Sequence, residues 1–77
     1  MITEKLIYLD KIADINLFVE KTHKVAGDII VRRGKFAVDG KSLMGIISLN
    51  PSEGVTVEYP EEETDFADFL NTLVRKD

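Results

Sequence analysis

VDGKSLMGIISL, residues 38–49, sets a serine between a lysine and a run of large apolar side chains. Gly40 closes the β-branched segment before it, and Ser42 has the side chain that caps a helix by accepting a backbone N–H. The apolar residues that follow are Leu43, Met44, Ile46 and Ile47. The run is too short for a core helix, and four large side chains on so short a helix cannot all face inward. At about 100° per residue Leu43 and Ile47 share one face with Met44 beside it, while Ile46 points elsewhere. Ile46 is therefore the expected core anchor, and the other three are left for a surface.

Working outward, residues 28–40 hold two β-branched or aromatic runs around Arg33 and Gly34, which predicts an antiparallel hairpin with the glycine supplying a positive φ. Arg32 and Arg33 fall on opposite faces of such a strand and form no joint clamp. Upstream, Ile12, Ile15, Phe18, Val19 and Thr22 recur at three- and four-residue steps and predict one face of a helix. Asp10 is its expected cap, and Lys21, His23 and Lys24 lie near its negative end. Residues 5–9 predict a first strand. Downstream, NPSEG predicts a loop and residues 55–59 a strand. Thr64 is the expected cap of a last helix carrying Asp65 and Asp68 in its first turn and Phe66, Phe69, Leu70, Leu73 and Val74 on its apolar face, with Arg75 and Lys76 at its C-terminal end.

The predicted order is strand, helix, strand, strand, short helix, strand, helix. Each helix has one apolar face and the strands are short, so the simplest burial is a four-stranded sheet with three helices on one face. The class is α+β, an open-faced sandwich.

The chain has 77 residues, which predicts a single domain spanning 1–77 near the lower end of autonomous folding. At roughly 0.05–0.15 kcal/mol per residue its stability is about 4–11 kcal/mol. Cysteine is absent, excluding disulfides and thiolate metal sites. No apolar run approaches a membrane span, the N-terminus has no secretory pattern, and a soluble cytoplasmic protein is expected. The net charge is −4, with acids concentrated in residues 59–69 and lysines scattered, so no basic stripe serves nucleic acid. Neither cofactor nor metal site is expected. The consecutive Glu61, Glu62 and Glu63 diverge as a solvated turn.

The phrases GKSLMGIISL and NPSEGVTVEY, the preceding INLFVEKTHKVAGDIIVRRGKFAVDGKS, and the order of elements resemble HPr, the histidine-containing phosphocarrier family of the bacterial phosphotransferase system. The resemblance covers nearly the whole chain and is most specific at Lys41-Ser42-Leu43-Met44-Gly45. It implies an HPr-like open-faced sandwich, a regulatory serine at Ser42, and partner docking by Leu43, Met44 and Ile47. A serine kinase or a transcription regulator is the partner it implies. The family carries a phosphorylated histidine between the first strand and first helix, followed by an arginine and a proline. Aligned on Phe18 and Val19, those positions fall on Lys11, Ala13 and Asp14, and the loop is a few residues shorter. Lysine has no imidazole to accept and return a phosphoryl group, and Asp14 repels one. No catalytic residue is expected.

His23, the single histidine, lies where the helix dipole disfavours phosphate. For Ser42 two readings stand together. A plain cap contributes about 1 kcal/mol; a phosphate there adds about 1.5–2 negative charges at a helix end that favours them, beside Lys41. The leading expectation is an HPr-like regulatory or adaptor protein without histidine phosphotransfer. The alternatives are a carrier with a non-standard acceptor and a binding module recruited to an unrelated partner. Monomer and dimer both remain open.

Overall fold

Arg33 and Phe36 face each other across Gly34 and Lys35, and Gly34 has φ 60°. A two-residue turn with glycine in this region matches the right-handed strand twist, so the hairpin closes where it was expected. In the computed structural model, which describes residues 1–75, the hairpin joins β2 (Ile30–Arg33) to β3 (Phe36–Asp39). The remaining elements are β1 (Ile2–Ile7), α1 (Ile12–Thr22), α2 (Leu43–Ser48), a 3-10 turn at Pro51–Glu53, β4 (Val55–Pro60) and α3 (Thr64–Asn71). The sheet order is β1-β4-β2-β3 and every pairing is antiparallel.

The register defines the two faces. Ile7 lies opposite Val55, Val57 opposite Val31, and Val31 opposite Val38. Opposed residues share a face, so these side chains form one layer, covered by Ile15 and Phe18 of α1, Ile46 of α2, and Phe66 and Leu70 of α3. Phe66 sits 5.9 Å from Phe18 and packs edge-on against Tyr59 at 5.6 Å. α2 contacts β3 and α3 contacts β1, the two edge strands, and α1 packs against both helices. The opposite face is open and carries Glu4, Leu6, Thr56, Glu58, Arg32, Ala37 and Asp39. On it Arg32 donates to Glu58 from Nε at 3.0 Å and from Nη2 at 2.6 Å.

Several expectations shift in detail. β1 starts at Ile2 rather than Lys5, because the alternating pattern of an edge strand continues through the charged Glu4. Leu9 lies beyond it and is still buried. Ile12 is not on the buried face of α1; it opens the helix and is 62% exposed. Asp10 does not cap α1. The N-cap is Lys11, with no side-chain cap bond, because the helix starts one residue later than Asp10 requires. Thr64 is the first helical residue of α3 instead of its cap, which is Glu63, and Asp68 therefore falls past the first turn. The helix stops at Asn71, so Arg75 is not at its end; Lys76 lies outside the described residues.

Candidate functional site

Ser42 starts α2 as expected. Its backbone is extended (φ −102°, ψ 109°) and its Oγ accepts the Gly45 N–H at 3.1 Å. Behind the helix, Gly45 lies so close to Val38 that an added Cβ would stand 3.1 Å from the Val38 Cβ. This approach seats α2 on β3 and turns Ile46 wholly inward, at 0% exposure. Leu43 and Ile47 are then 37% and 38% exposed and Met44 75%, so all three predicted surface residues stand on one projecting turn.

Lys41 does not stand ready beside Ser42. Its Nζ donates to the Val25 carbonyl at 2.9 Å, and its backbone N–H donates to Asp39 Oδ1 at 2.9 Å. The lysine fastens the start of α2 to the segment after α1, a contact that no local pattern encodes. The hydroxyl remains half-buried, with the Gly45 N–H as its donor.

The second region is the connection between β1 and α1. Residues 8–11 make it, and its backbone is pinned: Tyr8 N–H donates to the Leu73 carbonyl at 3.0 Å and Leu9 N–H to the Pro51 carbonyl at 3.1 Å. Lys11 is exposed at the helix start, followed by the exposed Ala13 and half-buried Asp14. Arg75 reaches this region from the far end of the chain. Its Nη2 donates to both oxygens of Asp10, at 2.8 and 2.6 Å, and its Cζ lies 4.1 Å from the centre of the Tyr8 ring. Tyr8, Asp10 and Arg75 thus form a stacked ion-pair cluster at the first helix. No local pattern announces it, because 65 positions separate its charged partners.

His23 is the C-cap residue of α1 and exposed. Twelve positions separate it from Lys11, so at about 1.5 Å per residue the two stand roughly 18 Å apart at opposite ends of the helix. Arg32 and Arg33 diverge as strand alternation requires. Arg32 joins Glu58 on the open face, while Arg33 Nη1 donates to the Leu49 carbonyl at 3.2 Å on the helix side. Among the described residues no group of three or more histidine, aspartate or glutamate side chains is placed to hold a metal ion. No helix there is long and apolar enough to cross a membrane.

A four-stranded antiparallel sheet in the order β1-β4-β2-β3, with its helices on one face and a short capped helix at one edge, is the architecture of the phosphocarriers of the phosphotransferase system. Residues 14–75 match the family described as PTS HPr component phosphorylation site, and the chain belongs to the HPr family. The structure is similar to the crystal structure of a phosphocarrier protein HPr from Bacillus anthracis str. Ames, with a TM-score of 0.70 and 21% identity over 96% of this chain and 98% of that one. No curated protein sequence matches the chain. Proteins of this family are phosphocarriers rather than enzymes, and they act through contact with partner proteins.

Proposed function

We propose that this protein is an HPr-family regulatory or adaptor module that does not transfer phosphate through histidine and docks partners by Leu43, Met44 and Ile47. One observation carries the docking assignment: Ile46 alone anchors α2 in the core, while Met44 is 75% exposed next to two half-open aliphatic neighbours. A large flexible thioether mostly in water contributes little to the fold and adapts to different partner surfaces. Loss of phosphotransfer rests on the residues at the start of α1. Lys11 takes the histidine position, and Asp14 puts negative charge where an incoming phosphoryl group would arrive.

Ser42 is the regulatory acceptor in this reading. Phosphorylation would replace a neutral cap by a dianion at the start of α2, next to the docking residues, and so couple modification to partner choice. The partner classes are a serine kinase and a transcription regulator. The test is incubation with a serine kinase of this family from the same organism. One phosphate should be added to the wild type and none to Ser42→Ala. An active cognate kinase that leaves the wild type unlabelled refutes the regulatory assignment and leaves the hydroxyl as a cap.

A further inference from the structure

β3 is an edge strand, paired to β2 and open on its other side. The hydrogen bond from Gly40 N–H to the Ile29 carbonyl, at 2.7 Å, fixes the phase of the ladder. Bonded pairs alternate with non-bonded ones in an antiparallel ladder. The bonded pairs are therefore 29/40, 31/38 and 33/36, and the pairs Ile30/Asp39 and Arg32/Ala37 are not bonded. The N–H and C=O of Ala37 consequently point to the free edge. The Asp39 N–H points the same way, while its carbonyl is taken up within the chain, accepting the Ser42 N–H at 3.0 Å.

We propose that this edge binds a second copy of the chain, β3 against β3 about a two-fold axis through Ala37. A symmetric antiparallel pair centred on Ala37 makes Ala37 exchange both backbone bonds with its own counterpart, which is what the outward phase allows. The same register sets Phe36 opposite Val38 of the second copy and Lys35 opposite Asp39, each pair occurring twice by symmetry. Both contacts are complementary. Phe36, 66% exposed, lies on the helix side of the sheet together with Val38, and Val38 lines a groove of about 440 Å³ between β3 and the end of α2, bounded by Ser48, Leu49 and Asn50. The ring of the second copy covers that groove. One Asp39 oxygen accepts from Lys41 N–H at 2.9 Å, which holds the carboxylate at the edge where Lys35 of the second copy arrives. The small Ala37 at the axis allows close backbone approach.

The other free edge lacks this property. At β1 the bond from Glu61 N–H to the Met1 carbonyl, at 2.9 Å, turns the backbone groups of Ile2, Glu4 and Leu6 outward. Two-fold pairing at the middle of the strand, on Glu4, sets a carboxylate against its own copy, an arrangement that discourages edge association. Self-complementarity of charge and shape thus singles out β3, and the inference stands independently of the docking role of α2.

The chain has no cysteine, so Ala37→Cys and Asp39→Cys each carry a unique thiol. On mild oxidation Ala37→Cys should cross-link to itself far faster than Asp39→Cys, because only residue 37 meets its own copy at the axis. Equal rates would overturn the register. By light scattering the wild type should move from 8.7 kDa towards twice that, about 17.4 kDa, as concentration rises. Ala37→Pro, which removes an N–H unused within the chain, should keep the far-UV spectrum and remain monomeric. Lys35→Asp and Asp39→Lys, measured alone, should each weaken dimerisation by on the order of tenfold, whereas an equimolar mixture restores it as a heterodimer. A wild type that stays monomeric at every concentration, a folded Ala37→Pro dimer, or a mixture no tighter than its components would overturn the proposal.

Discussion

Truncating Ile46 and Met44, two residues apart on one short helix, should produce opposite phenotypes. Ile46 is fully buried and Met44 is 75% exposed. Ile46→Ala deletes buried carbon and leaves a cavity, a change costing about 2–5 kcal/mol. That is a large part of the roughly 4–11 kcal/mol expected for a chain of this length. For a domain this small each 1 kcal/mol moves the melting temperature by about 4–8 °C, so the midpoint should fall by at least about 8 °C. Met44 keeps most of its surface in water in both folded and unfolded states. Its truncation should stay within about 0.5 kcal/mol, under about 4 °C. Thermal melts followed by circular dichroism decide the stability half, and titration of the wild type and Met44→Ala against the same purified partner decides the binding half. If Met44→Ala lowers the midpoint as much as Ile46→Ala and leaves partner affinity unchanged, the assignment of these two faces is wrong.

Three further outcomes are expected. Ser42→Ala should cost about 1 kcal/mol through loss of the cap to Gly45 N–H, whereas Ser42→Asp, which can still accept that bond, should melt near the wild type; equal melting of all three proteins would remove the cap from the account. Gly40→Ala should destabilise strongly, because the added methyl would overlap the Ile29 side chain and backbone; a melt within 2 °C of wild type, or about that, would contradict the packing. Arg75→Ala should change stability by no more than about 1 kcal/mol, since the Asp10 pair is solvent-exposed, and a much larger loss would mean the cluster holds the β1–α1 connection in place.

The elements legible in the sequence are those whose signal is local. Gly34 between two β-branched runs gave the hairpin, and Ser42 before LMGII gave the capped helix, because a two-residue turn and an N-cap each need one residue type at one position. Ile15, Phe18 and Thr22 revealed the buried stripe of α1 through their three- and four-residue spacing, which is equally local. Ile12 misled, since periodicity alone does not tell a buried position from the first exposed turn. The charged contacts were illegible: Arg75 reads as a helix-end residue until the chain is seen to turn after Asn71 and reach Asp10. Lys41 likewise reads as a phosphate neighbour until its ammonium is found on the Val25 carbonyl. Long side chains choose partners by tertiary position, and spacing along the chain carries no record of that choice.

In the proposed reading no phosphate passes through a histidine of this protein. Incubation with phosphoenolpyruvate and the general enzyme of the phosphotransferase system, followed by mass spectrometry under conditions that preserve phosphohistidine, tests it most directly. An unshifted mass is expected, with Lys11 at the start of α1. A stoichiometric phosphoryl adduct on His23 would contradict it and make the protein a working carrier.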